Sequence, residues 1–335
     1  MHLDTDALTA VATDNSLSGV IRVDAGGDRL YEAAFGLADR AHGVANTMQT
    51  RFGTASASKA FTALAVLSLV DGGTLELDDP ARRWLGDDLS QVDQRVTLRQ
   101  LLSHTSGVGE YLDDDADPDS YLLPGSMHEY NSLEDFVRLL DVPMLSTPGS
   151  GCVYSNAGYV LLGLIAQRAS GMRYQDLVRE RVIEPAGLQH TGFLRSDALP
   201  GDAAIGYLYP DALRTNVFHL PIEGSGDGGA YTTAADLHAF WPALAGGAIV
   251  PEALVELMTT RSSGDEADYV CGLGIWLPIP GVWGLEGSDA GVSMMSQYLP
   301  SADVTWSVLS NESDNAWEPA EFLMAWSRDV LAGRG

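Results

Sequence analysis

Lysine is nearly missing from this chain. Among 335 residues there is one, Lys59, against eighteen arginines. Arginine keeps its proton at any accessible pH, whereas lysine gives it up once burial or nearby positive charge lowers its pKa. A lone lysine therefore points to a task that needs a proton-exchanging amine, the plain alternative being a solvated helix residue. Cysteine is also scarce. Cys152 and Cys271 are too few for a zinc cluster or a disulfide framework, and read as small buried hydrophobes. Cys152 lies close enough to a motif described below to line a pocket. Positive charge is in deficit, 19 basic residues against 46 acidic ones, a formal net charge of −27. Such a surface repels nucleic acid and anionic membranes, so neither is an expected partner. No apolar run reaches membrane-spanning length, and Met1-His2-Leu3-Asp4-Thr5-Asp6 lacks the basic-then-apolar pattern of a secretory signal. A cytoplasmic location is expected. His2, His42, His128, His190, His219 and His238 show no ligand spacing with carboxylates, so neither a metal nor an organic cofactor is expected.

The length allows one large α/β unit or two closely packed lobes. An amphipathic helix is expected over 4–15, then strands over 19–24 and 29–37 around the turn Gly26-Gly27-Asp28. Residues 59–70 form an apolar run of helix formers stopped by Gly72-Gly73, which predicts a buried helix with Ser56 at its N-terminal end. Helices are expected over 98–102, 132–140, 156–169 and 174–182. The acidic, turn-rich segment 110–131 is a candidate mobile rim to a cleft. Strands are expected over 273–277, 282–286, 292–299 and 304–310, with a final helix over 318–331. The fold class is α/β of the α+β kind. An antiparallel sheet is built from both chain ends (1–78 plus 221–335) and flanked by helices. A mainly helical lobe (79–220) is inserted, with the active site in the cleft between the two.

Ser56 precedes Lys59 by three residues, so on a helix the two share a face and can meet as nucleophile and base. A second candidate is Tyr154-Ser155-Asn156, in a loop leading into an apolar helix. A phenol whose pKa is lowered by an ammonium can shuttle protons, and an amide offers donor and acceptor to an amide-bearing substrate. Y-x-N alone reads by default as a helix-capping Asn156 beside a core Tyr154.

Together these segments resemble the serine β-lactamase and penicillin-binding-protein superfamily. The likeness is to its class C-like branch of class C β-lactamases, D-alanyl-D-alanine carboxypeptidases, D-aminopeptidases and related carboxylesterases. Phe52-Gly53-Thr54-Ala55-Ser56-Ala57-Ser58-Lys59 is similar to the nucleophile motif. Leu101-Leu102-Ser103-His104-Thr105-Ser106-Gly107 is similar to the L-L-x-H-T-S-G run. Tyr154 to Tyr159 matches Y-S-N-x-G-Y, and Gly228 to Leu237 resembles G-G-x-x-S-T-x-x-D-L. The resemblance implies a β-lactamase/transpeptidase-like fold and an acyl-enzyme on Ser56. Lys59 would exchange the proton, and Tyr154 would be the base. Asn156 would contact the acyl side of the substrate, and the backbone N–H groups of Ser56 and Ser288 would form the oxyanion hole. His104 is expected to hold a turn, and Asp236 to cap a helix or make a structural contact.

One motif departs from that pattern. Where relatives carry K-T-G or H-x-G at the cleft edge, this chain has Leu285-Glu286-Gly287, and the later glycine is Gly291. Leucine neither binds a substrate carboxylate nor biases the tyrosine, and Glu286 repels anions if it faces the cleft. Leu285, Glu286 and Gly287 are therefore expected to line the substrate site. The expected substrate is a small neutral or apolar ester, with weak β-lactam turnover. The alternatives are a D-amino-acid-specific peptidase or amidase, a β-lactamase-like enzyme, an acyl transferase using the same intermediate, and a non-catalytic binding protein on the same fold.

Overall fold

Strands contributed by the two ends of the chain meet in one sheet. The computed structural model describes residues 2–112, 123–262 and 272–333; Cys271 and part of the acidic rim segment lie outside the described residues. The strands are β1 (Gly19–Ala25), β2 (Asp28–Phe35), β3 (Leu37–Asp39), β4 (Val44–Ala45), β5 (Phe52–Gly53), β6 (Tyr231–Thr232), β7 (Trp283–Asp289), β8 (Val292–Leu299) and β9 (Val304–Ser310). The helices are α1 (Thr5–Asp14), α2 (Lys59–Asp71), α3 (Leu98–Leu102), α4 (Leu133–Leu140), α5 (Asn156–Ser170), α6 (Tyr174–Val178), α7 (Ala234–Ala245), α8 (Glu252–Met258) and α9 (Trp317–Leu331).

Five strands form an antiparallel sheet in the order β2-β1-β9-β8-β7, which leaves β7 as an edge. Consecutive residues alternate between its faces. Val20, Leu285, Met294 and Leu309 join the larger core, which continues into α2 and α5. Ile21, Met295, Trp306 and Val308 face the other way, in the core they share with α1 and α9. Such all-round burial explains why β8 carries no charged residue and is mostly apolar or small, Gln297 being the exception.

Helix α2 has apolar residues on every side and is buried on every side, as its sequence requires. Full burial of side chains such as Leu64, Val66 and Leu67 stabilises the fold by about 1.5–3 kcal/mol each. Lys59 is its first residue and is only 4% exposed. The expected helix over 174–182 divides into α6 and a π turn, Arg179–Ile183.

The expected strand over 273–277 does not form; only Trp276 makes a bridge, to Gly284. Gly274 takes a positive φ of 82°, and Gly272 N–H turns back to the Ile275 carbonyl at 2.9 Å. Pro278 and Pro280, which have no N–H to donate, follow at once. That bridge fixes the orientation of β7. Gly284 donates to the Trp276 carbonyl (2.8 Å) and accepts from its N–H (2.9 Å), so its backbone groups point away from β8. The register of β7 on β8 runs unbroken from Trp283 to Asp289. With a period of two, the backbone groups of Glu286 and Ser288 also point to the open edge.

Candidate active site

Ser56 lies in a 3-10 turn, Ala55–Ser58, that runs directly into α2. The sequence expectation of a helix N-terminal serine is met in this tighter form. Ala55 holds a φ of 43°, in the left-handed region that non-glycine residues rarely occupy. The surroundings over-determine this strained turn. Thr54 N–H and Oγ1 both donate to the Ala230 carbonyl, at 2.8 and 2.9 Å. Ser58 Oγ meets Thr54 Oγ1 at 2.7 Å and accepts from Ala230 N–H at 3.0 Å. The Gly228-Gly229-Ala230 segment thus braces the serine from behind. Gly228 has no side chain to hold the Ala55 carbonyl away, since a Cβ there would stand 3.3 Å from it.

Ser56, Lys59, Tyr154 and Asn156 are brought together. Lys59 Nζ donates to Ser56 Oγ (3.0 Å), Asn156 Oδ1 (2.8 Å) and the Asp227 carbonyl (2.7 Å). Tyr154 OH donates to Ser56 Oγ at 2.8 Å. The lysine also stands 4.9 Å from the centroid of the Tyr154 ring. Tyr154 stacks against His104 (centroids 4.6 Å apart) and Trp276 (5.9 Å), which limits its rotation. The phenol's pKa is raised rather than lowered, because burial outweighs the opposing pull of Lys59. The neutral phenol therefore acts as a hydrogen-bond donor in this state, a correction to the expectation of a lowered pKa.

His104 holds a turn, as expected, with a φ of 56°. Its Nδ1 accepts from Ser155 N–H at 3.1 Å, tying the L-L-x-H-T-S-G run to the tyrosine loop. Burial, helped by Lys59, pushes its pKa down to about 3, so the ring is neutral. Asp236 makes a structural contact rather than a cap: it accepts from Gln189 and His190 N–H and from Thr191 Oγ1, while Thr233 caps α7. Cys152 is half-buried, lies 4.0 Å from the Ser103 carbonyl and does not line the cleft.

The open edge of β7 forms the opposite wall. Leu285 is buried in a narrow recess shared with Ser56, Lys59, Tyr154 and Trp276. Gly287 lies against the serine turn, where a Cβ would overlap the Thr54 carbonyl oxygen. Ser56, Glu286, Gly287 and Ser288 also line a cleft of about 830 Å³, together with Asn156, Asp227, Asp289 and Asp314. Glu286 is exposed, partial desolvation raises its pKa, and among the described residues nothing pairs with its carboxylate. Among the described residues, those lining recess and cleft include no arginine and no second lysine. Among the described residues no cluster is arranged to hold a metal, and no helix is long and apolar enough to cross a membrane.

Sequence reasoning did not find Glu110, Tyr111, Asp227 or Trp276. Glu110 and Tyr111 come three and four residues after the L-L-x-H-T-S-G run and open the segment 110–131 expected at the rim of a cleft, the two signals that pointed near them. Asp227 contributes its backbone carbonyl to Lys59, and a carbonyl has no residue signature.

Known proteins share this arrangement of chain and fold. Penicillin-binding protein 4* of Bacillus subtilis is 30% identical over 358 residues, spanning 99% of this chain and 76% of that protein. The crystal structure of a penicillin binding protein from Bacillus halodurans superposes with a TM-score of 0.88 at 34% identity, covering 95% of this chain and 99% of that one. Esterase EstB of Burkholderia gladioli is 37% identical over 179 residues, 51% of this chain and 45% of that protein. The Beta-lactamase family matches residues 6–324, nearly the whole sequence, and the chain belongs to that family of serine hydrolases.

Proposed function

We propose that this protein hydrolyses small neutral or apolar esters through an acyl-enzyme on Ser56. The observation that carries the reading is the convergence of Lys59 Nζ and Tyr154 OH on Ser56 Oγ, at 3.0 and 2.8 Å. The two side chains act as one proton-accepting pair in the form that has first released one proton to solvent, since an ammonium beside a neutral phenol has no site for another. As Ser56 Oγ bonds to the substrate carbonyl carbon, its proton passes to the pair, and the oxyanion meets the N–H groups of Ser56 and Ser288. Tyr154 OH then delivers a proton to the departing alcohol, leaving the acyl group on Ser56. Water enters by the reverse path: its proton goes to the pair, the acid leaves, and Ser56 regains its hydroxyl. The open-edge orientation of the Ser288 backbone supports its part in this scheme.

Substrate choice rests on the β7 wall. Leu285 stands where relatives carry a cation, and the missing charge-assisted contact to a substrate carboxylate is worth about 1.5–3 kcal/mol. Glu286 adds repulsion. β-Lactams and peptides with a free carboxylate are therefore poor substrates. The 37% identical esterase supports ester cleavage. A second reading, hydrolysis of amino-acid amides with a free amine, is favoured by the unpaired Glu286 carboxylate in a cleft with no arginine among its described lining residues. The test is a panel of p-nitrophenyl esters, D-amino-acid amides and nitrocefin, with fluorophosphonate labelling of Ser56. Ester turnover with stoichiometric labelling is expected. Nitrocefin turnover at the rate of the best ester overturns the substrate assignment, and inertness to every acyl donor favours a binding protein.

A further inference from the structure

Lys59 is held by two carbonyl groups, and each is anchored in turn by one of two adjacent residues in a single loop. We propose that Glu110 and Tyr111 are positioning residues that fix these two acceptors and so aim the lysine at Ser56. This rests on the hydrolase reading above for its consequence in catalysis, though not for its geometry.

The Glu110 arm runs through α5. Asn156 and Ala157 open that helix, and their N–H groups have no partner within it. The Glu110 carboxylate accepts both, at 2.6 and 3.3 Å, and also accepts the N–H groups of Tyr111 (2.8 Å) and Leu112 (3.3 Å). Ser155 Oγ takes the N–H of Gly158 at 2.9 Å. Glu110 therefore sets the backbone from which the Asn156 amide reaches Lys59. The side chain is half-buried, and that burial raises its pKa against those N–H contacts.

The Tyr111 arm runs through Asp227. Tyr111 OH donates to Asp227 Oδ2 at 2.7 Å, and Ser225 Oγ donates to the other oxygen of the same carboxylate. With its side chain tied at both oxygens, Asp227 presents its carbonyl to Lys59 at 2.7 Å. A closed circuit results: Glu110 to Asn156, Asn156 to Lys59, Lys59 to Asp227, and Asp227 back to Tyr111. Lysine is a point charge on a flexible four-carbon stem, so two fixed carbonyls are needed to leave its third tetrahedral direction towards Ser56. If either acceptor swings, Nζ follows it away from the serine.

Because the chain has one lysine, the test needs no assignment. Full-length protein labelled with ¹⁵N,¹³C-lysine, carrying no lysine in any tag, gives a single Nζ–Cε resonance from Lys59. In the wild type this signal is expected to be sharp and displaced from that of free lysine. Tyr111→Phe and Glu110→Gln should each broaden it and move it towards the free value. With p-nitrophenyl butyrate, kcat should fall about tenfold for Tyr111→Phe and about 100-fold for Glu110→Gln, with KM within about twofold, since the loss arises in the transition state. An unchanged Lys59 resonance in Tyr111→Phe overturns the proposal, as does a raised KM at constant kcat, which makes Tyr111 a substrate contact. Tyr111→Phe removes one oxygen and decides the matter if Glu110→Gln fails to fold. If the wild type cleaves no ester, the hydrolase reading falls while the resonance still decides the positioning role.

Discussion

The two walls beside Ser56 are built on opposite principles. On the Lys59 side every donor is matched: the ammonium has three acceptors, Asn156 and Asp227 are themselves anchored, and Tyr154 is stacked against two rings. On the β7 side the backbone of an edge strand faces open space, and Glu286 stands without a partner among the described residues. The first wall can perform proton transfer only in one geometry, because an unmatched buried charge is expensive. The second can change its side chains freely, because their groups are satisfied by water or substrate. On the proposed reading, reaction type lives on the closed wall and substrate choice on the open one.

Substitutions on the closed wall should be the more damaging. Ser56→Ala should lower kcat/KM on p-nitrophenyl esters by about 10⁴-fold or more and abolish fluorophosphonate labelling. Retained labelling would place the nucleophile elsewhere. Lys59→Ala and Tyr154→Phe should each cost about 10²–10⁴-fold in kcat, with the two together scarcely worse than either alone if they act as a pair. Additive losses would separate them into independent roles. Gly287→Ala tests where the walls touch. A methyl group against the Thr54 carbonyl must push β7 from the serine turn, lowering stability by about 1–3 kcal/mol in thermal unfolding and kcat by about 10-fold or more. Normal kcat in this variant would argue against an oxyanion role for the neighbouring Ser288 N–H.

Milder effects are expected from the open wall. Glu286→Gln should improve kcat/KM for anionic esters by about threefold to tenfold at low salt, leave neutral esters nearly unchanged, and lose its advantage as salt rises. Equal effects on both substrate types would remove charge as the discriminator. An effect on stability rather than on rate concerns His104. Its folded pKa of about 3 lies below the ordinary 6.5 of an unfolded chain, so the unfolded state binds the proton first as pH falls. The neutral ring carries no penalty above pH ~6.5, and stability is lost progressively below it, on the order of 1–2 kcal/mol by pH ~5. His104→Asn, which tolerates the left-handed backbone, should flatten that slope in denaturant titrations at pH 7 and pH 5.

Much of this molecule was legible in residue patterns. The strands 292–299 and 304–310 and the all-round apolar run after Lys59 appear where expected. Where the reading failed, a local pattern met a competing constraint. Residues 273–277 look strand-like in composition, but a left-handed Gly274 and two nearby prolines leave only the bridge at Trp276. Tyr154 gives the plainest electrostatic case. Its closeness to the lysine was readable, yet the sign of its pKa shift depends on how deeply the ring is buried, which no motif encodes.

The lone lysine, the serine one helical turn before it and the ordered motifs are properties of the chain, because helix periodicity and side-chain chemistry act over a few residues. Which carbonyls receive Lys59 is not. Asn156 and Asp227 lie 97 and 168 residues away from it. They meet the ammonium only because α2, α5 and the Gly-rich segment pack around one core. Folding makes the lysine's setting by taking it out of water, and that desolvation exists only once distant segments have closed over it.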